Sequence, residues 1–125
     1  MSSMDEDEFQ VLVEQAWDAL PEDYKSHVDN VEVVVEAWPD DRTLHLAHVR
    51  HSRQLLGFYH GVPLTERTLG YNMVPPDRIN IYREPILLIC HSDEEVRATV
   101  QHVLRHEIAH HFGISDARLH EIGAY

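Results

Sequence analysis

The first part of the chain carries apolar residues at the spacing of an amphipathic helix. These positions are Phe9, Leu12, Val13, Ala16, Trp17 and Leu20. The acidic residues 5–8 favour a helix start there, because carboxylates are stabilised at the positive end of a helix. Pro21 ends this helix and is placed to open a second, short one.

Three later segments have the β-branched or alternating composition that is typical of strands. They span residues 31–38, 55–60 and 78–83. Residues 62–76 contain glycine, proline, asparagine and threonine, which predicts a long loop between the second and third strands. Residues 41–53 are a loop or a short helix, and residues 86–90 are a buried strand or a helical turn.

The longest predicted helix begins at Ser92, which forms a capping box with Glu95. Its apolar face is formed by Val96, Val100, Val103, Leu104, Ile108 and Phe112. Gly113 ends the helix, because glycine tolerates the left-handed backbone found just past a helix terminus. A second short helix is expected over about 116–122.

The chain of 125 residues is expected to form one domain, 1–125, in which residues 1–6 are a frayed acidic tail. An apolar content of 43% is enough to build a core. No apolar stretch approaches membrane-spanning length, and the acidic N-terminus lacks the basic start of a signal peptide. We therefore expect no membrane partner.

The net charge of −12 argues against nucleic-acid binding, because phosphates are bound by clustered lysine and arginine. The single cysteine, Cys90, excludes an internal disulfide and suits a reducing compartment, so a cytoplasmic location is expected. Cys90 follows an apolar run and is predicted to be a small buried hydrophobic residue.

The strongest candidate for chemistry is a His-Glu-x-x-His pattern on the long helix. His106 and His110 are four residues apart, which places both imidazoles on one face, one turn from each other. In this pattern the two histidines bind zinc, and a glutamate at the position of Glu107 is the general base. The pattern therefore predicts a zinc site at the end of the helix.

A catalytic zinc site normally has three protein ligands and a water, so a third ligand is needed. Gly113 lets the backbone leave the helix sharply, and Asp116 then offers a carboxylate oxygen to the same ion. Glu121 is the alternative third ligand, or a hydrogen-bond partner of a ligating histidine. The offset from the glycine turn favours Asp116.

Two nearby histidines are expected to stay outside the metal site. His102 extends the histidine ladder, but three ligands along one helix would span roughly 12 Å, too far for one ion. His111 points about 100° away from His110, and is expected to pack or to form a hydrogen bond.

With these residues, the sequence resembles the zincin metallopeptidases, and more closely a family of small bacterial zinc metallopeptidases with a minimal zincin-like domain. The similar segments are 55–67, 76–83 and 106–123, so the resemblance covers most of the chain after residue 8. It implies an α+β fold, in which a small twisted mixed β-sheet packs with an N-terminal helix and a long active-site helix. It also implies Zn²⁺ as cofactor, with His106, His110 and Asp116 as ligands and Glu107 as catalytic base.

The predicted function is zinc-dependent hydrolysis of a peptide or protein substrate. Glu107 would take the proton of the attacking water and pass it to the leaving amine. The oxyanion needs a donor besides zinc, and the candidates are Tyr59, Tyr71, Tyr82 and Tyr125. The segment 55–60 or 78–83 can offer a strand edge to an extended peptide.

Two alternatives remain. The methionine turn of the metzincins is missing, because no methionine follows Asp116, and little sequence follows the motif to form the lower wall of a substrate cleft. These departures favour a non-catalytic zinc-binding module that acts in protein interaction. Glu107 argues against that module, because a structural zinc site needs no base. The other alternative is a zinc hydrolase that acts on a non-peptide amide.

Overall fold

Five α-helices and three strands occupy the residues that the structure, a computed structural model, describes: 4–27, 31–61 and 77–113. In chain order they are α1 (Glu6–Asp18), α2 (Glu22–His27), β1 (Val31–Glu36), α3 (Asp41–Leu46), β2 (Gly57–His60), β3 (Asp77–Tyr82), α4 (Arg83–Ile89) and α5 (Asp93–His111). A 3-10 helix, Ser52–Gln54, lies before β2. No helix in these ranges is long and apolar enough to cross a membrane.

The structure resolves both ambiguous segments. Residues 41–53 contain α3 and most of the 3-10 turn, and the apolar run before Cys90 belongs to the helix α4. Cys90 itself is buried, with its Sγ 3.4 Å from Thr99 Oγ1, which confirms the prediction of a small buried residue. The predicted loop 62–76 and the predicted helix 116–122 lie outside the described residues.

The three strands form one mixed sheet in the order β1-β3-β2. β1 runs parallel to β3 and β2 runs antiparallel to it, so that Ile79 pairs with both Val33 and Tyr59. Side chains alternate between the two faces of a strand, and these three paired residues therefore share one face. The α+β class and the small mixed sheet are as expected.

The helices α1 and α5 pack against each other, and α5 lies over β2 and β3. The buried residues between them are Phe9, Leu12, Val13, Ala16, Leu20, Ile79, Ile81, Ile86, Leu87, Cys90, Val96, Val100, Val103, Leu104 and Ile108. Burial of one such large apolar side chain stabilises the fold by about 1.5–3 kcal/mol. The apolar faces predicted for α1 and α5 are therefore the faces that form the core.

The opposite face of the sheet carries several polar side chains, and Tyr82 on this face is hydrogen-bonded to Thr43 of α3. Asn80 Nδ2 donates to Glu36 Oε1 and to the Tyr82 hydroxyl, the second bond measuring 3.3 Å. Burial raises the pKa of Tyr82 above its ordinary value, although hydrogen bonds from Asn80 and Thr43 oppose the shift. Burial also lowers the pKa of His60. Because side chains alternate along β3, Tyr82 lies on the face of the sheet turned away from α5.

Both ends of α5 lie where the sequence predicts, but the glutamate half of the predicted capping box bonds the His91 amide, one residue before the N-cap Ser92. At the N-terminus Ser92 Oγ accepts a hydrogen bond from the Glu95 amide at 3.1 Å, and Glu95 Oε2 accepts one from the His91 amide at 2.5 Å. At the C-terminus Gly113 has a φ of 85° and donates to the His110 carbonyl at 2.9 Å. The helix therefore ends just past His110, at the predicted glycine turn.

Candidate metal centre

The last two turns of α5 bring three potential metal ligands together. Ligand atoms of His106, Glu107 and His110 all lie within 4.8 Å of one another. The two imidazole rings have centroids 4.8 Å apart and planes at 68°. Two nitrogens bound to one zinc ion are about 3–4 Å apart, because each zinc–nitrogen bond is about 2.0–2.1 Å. The cluster therefore fits a single ion after small side-chain adjustments.

Glu107 supplies the negative charge of the cluster. It is only 7% exposed, and its Oε1 lies 3.2 Å from His110 Nδ1. Its Oε2 lies 4.0 Å from His106 Nε2. A buried carboxylate is costly unless it is paired or faces a cation. The arrangement of one carboxylate between two imidazoles therefore suits a bound cation.

A cleft of about 230 Å³ lies beside this cluster, between α5 and the strand β2. Leu56 and Gly57 line its strand side, while Val103, His106 and Glu107 line its helix side. The cleft thus combines an apolar wall with the candidate metal ligands. Any group that occupies this cleft would therefore border Glu107.

The close approach of α5 to β2 depends on a glycine. A Cβ atom at Gly57 would lie 2.5 Å from Val103 Cγ1, 3.0 Å from the Asn80 carbonyl oxygen and 3.6 Å from Glu107 Cγ. The first distance is far shorter than a van der Waals contact, so only glycine fits without a shift of the helix. This role of Gly57 was not predicted from the sequence, although a glycine within a strand pattern is a signal of close backbone approach.

His111 has the role expected for it, away from the metal cluster. It is buried, and its Nδ1 lies 2.8 Å from Asp77 Oδ2, which also accepts a 2.6 Å hydrogen bond from the Tyr59 hydroxyl. The role of Asp77 was not predicted from the sequence, where its only signal is an acidic residue at the start of a strand. His102 is exposed, and its ring centroid lies 6.3 Å from that of His106.

The predicted third ligand and the alternative to it both lie outside the described residues. Asp116 and Glu121 both belong to that part of the chain, and the ligand role of Asp116 stays a prediction. Among the tyrosines, Tyr59 lies on the α5 side of the sheet and Tyr82 on the other. Tyr71 and Tyr125 are also outside the described residues.

Two histidines and a glutamate on one helix, beside a small mixed sheet, form a cluster that could hold a metal ion. A family model described as zincin-like metallopeptidase matches residues 28–124, and the chain belongs to this family. Membership implies a bound metal ion, and the cluster at His106, Glu107 and His110 has the donor atoms to hold one.

One solved structure supports the fold. The chain is similar to a conserved hypothetical protein from Thermo thermophilus, with 29% sequence identity and a TM-score of 0.52. The match covers 84% of this chain and 91% of that protein's chain. No curated protein matches the chain.

Gly57→Ala is expected to lower the free energy of unfolding by about 1–3 kcal/mol, the usual cost of overpacking a core. The added methyl group would overlap Val103 Cγ1, so the helix or the strand must move. Urea denaturation followed by circular dichroism measures the change. Val103→Ala should relieve most of the overlap. The double variant is therefore expected to lose less free energy of unfolding than the two single variants lose together. If the two losses in free energy of unfolding are additive, the contact between residues 57 and 103 does not limit how closely α5 approaches β2.

Proposed function

We propose that the protein is a zinc-dependent metallopeptidase, in which His106, His110 and Asp116 hold the zinc ion and Glu107 is the general base. The observation that carries this proposal is the convergence of His106, Glu107 and His110 within 4.8 Å on one helix beside a cleft. When bound, the zinc ion would lower the pKa of its water to about 7 and polarise the scissile carbonyl.

The position of Glu107 supports its role as the base. The carboxylate is held in place because its two oxygens lie near the two imidazoles, and its residue lines the cleft. As the water oxygen bonds to the carbonyl carbon, Glu107 accepts the water proton. It then passes this proton to the amide nitrogen as the carbon–nitrogen bond breaks, so that the amine leaves neutral and the other product is a carboxylic acid.

The end of α5 supports Asp116 as the third ligand. Two histidines are too few for a catalytic zinc site. Gly113 turns the backbone out of the helix with its positive φ directly after the turn that carries His110. The chain therefore leaves α5 next to the metal cluster, where a carboxylate three residues later is within reach.

The sheet favours an extended peptide as the substrate. Among the described strands β3 is paired on both sides, whereas β2 is paired only with β3. Of the two segments that the sequence suggests for peptide pairing, 55–60 therefore contains the strand with one edge that no described strand occupies. A peptide that adds to β2 by main-chain hydrogen bonds would run along the cleft, past Glu107.

Glu107→Gln is expected to keep the bound zinc but to lower the rate of peptide hydrolysis by at least about 100-fold, the usual contribution of a general base. Glutamine keeps the size of the side chain and removes the proton acceptor. Mass spectrometry of a mixed peptide library, incubated with the zinc-loaded protein, measures the cleavage. Zinc content is determined on the same samples.

The outcome separates the two main hypotheses. If wild type and Glu107→Gln both bind zinc and wild type cleaves no peptide, the non-catalytic zinc-binding module is the better account. If the variant cleaves as fast as wild type, Glu107 is not the base. Wild type that cleaves small amides but none of the peptides would instead support the non-peptide hydrolase.

Asp116→Ala is expected to weaken zinc binding by more than the roughly 10–100-fold that is typical when an outer partner of a ligand is lost. Glu121→Ala is the matched control, since it removes the rival carboxylate, and its effect should stay within that range. Competition with a chromophoric zinc chelator gives both dissociation constants. A larger loss in Glu121→Ala than in Asp116→Ala would reverse the assignment.

A further inference from the structure

We propose that a buried network of Tyr59, Asp77 and His111 positions the metal-binding turn of α5, and that these are positioning residues for the zinc site. The inference rests on the proposed function, because it concerns how His106 and His110 are aimed at the metal. It assigns a role to three polar groups that neither bind the ion nor move a proton in the proposed mechanism.

The network joins both strands beside the cleft to the last turn of α5. Asp77 begins β3, Tyr59 lies in β2, and His111 is the last residue of α5. Asp77 Oδ2 lies 2.8 Å from His111 Nδ1 and 2.6 Å from the Tyr59 hydroxyl, so two donors converge on one carboxylate oxygen. His111 is 0% exposed and Asp77 is 1% exposed, so both contacts are shielded from water.

The ring of His111 forms a hydrogen bond through only one of its two nitrogens, Nδ1, among the described residues. Its Nε2 is buried and has no hydrogen-bond partner within the described residues. The contact with Asp77 is therefore the polar interaction that sets the orientation of the ring. The ring of Tyr59 also meets the ring of His111 edge-on, with centroids 6.0 Å apart.

The orientation of His111 constrains His110, because the two residues are consecutive on one helix. Their side chains project about 100° apart, so a fixed direction for one sets the direction of the other. The last turn of a helix leaves carbonyl groups without intrahelical partners and frays readily. The bond from His111 to Asp77 anchors this turn to the sheet, and the cluster of His106, Glu107 and His110 lies within the two turns it holds.

Gly61 supports the same interpretation. A Cβ atom at Gly61 would overlap Asp77 Oδ1 and would lie 2.9 Å from the Tyr59 hydroxyl. The backbone after β2 therefore lies directly against the network, and glycine leaves room for the bond between Tyr59 and Asp77. Gly61→Ala displaces these polar groups without removing any of them.

A role in stability alone accounts poorly for the network. A buried pair of charged or polar groups is often no more stabilising than apolar side chains of the same volume. Hydrogen bonds, in contrast with apolar contacts, fix a direction as well as a distance. Direction is what a metal site requires, since its ligands must be held in a defined geometry by their surroundings.

The test uses cobalt(II) as the probe, because its absorption bands report the number and geometry of its ligands. We expect His111→Leu and Tyr59→Phe to weaken cobalt binding, His111→Leu by about 10–100-fold, and to alter these bands. His111→Asn keeps an N–H donor near the position of Nδ1, so it should restore most of the affinity and the wild-type spectrum. All measurements are made on full-length protein at a temperature where circular dichroism shows each variant folded.

Val100→Ala is the matched control for a loss of stability. Val100 is fully buried on α5 and lies outside the network, so its truncation should lower the melting temperature and leave the cobalt affinity and spectrum unchanged. If His111→Leu does not fold, Tyr59→Phe and Gly61→Ala decide the question, since neither substitution removes the side chain of Asp77 or His111.

Two results would overturn the inference in different ways. The first result is a cobalt affinity and spectrum equal to those of wild type in folded His111→Leu, or in both Tyr59→Phe and Gly61→Ala. It would show that the metal site does not depend on the network, whose role would then be structural only. No cobalt binding by wild type, or undiminished binding by His106→Ala, would contradict the proposed function itself and the positioning role with it.

Discussion

The close packing of α5 against β2 is the constraint on which the rest of the structure depends. Gly57 allows it, because any side chain there would overlap Val103. At this separation the buried face of α5 completes the core, while the adjacent face presents His106 and Glu107 to the cleft. One helix thus both stabilises the fold and carries the candidate metal ligands, so a change in its position affects the core and the candidate site together.

Two buried carboxylates lie at α5, and each is held by hydrogen-bonding or charged partners. Glu107 is buried between two imidazoles, and Asp77 is buried between His111 and Tyr59. Each carboxylate would be unfavourable alone in a low-dielectric interior, and each is compensated by groups brought from the helix or the strands. The two imidazoles around Glu107 suit a bound cation, whereas the partners of Asp77 join the end of α5 to the sheet. The sheet therefore contacts α5 through Asp77 at the last turn of the helix, next to the candidate metal ligands.

Much of this arrangement could be predicted from local sequence patterns. The N-cap at Ser92, the apolar face of α5 and the glycine at position 113 each act within a few residues, and all three are confirmed. The approach of Gly57 and the bond from Asp77 to His111 were missed, because they join residues far apart in the chain. Periodicity gives the face on which a side chain lies, but tertiary packing decides which distant group it meets. The ligand role of Asp116 rests on spacing and on family resemblance, and it stays a prediction.

The central claim is that His106 and His110 share one metal ion, while the third member of the histidine ladder, His102, does not. Zinc per chain, measured by plasma mass spectrometry on protein equilibrated with zinc and then desalted, tests this most directly. The account predicts about one zinc ion per chain in wild type and in His102→Ala, and almost none in His106→Ala or His110→Ala. Equal zinc content in wild type and His106→Ala would contradict it.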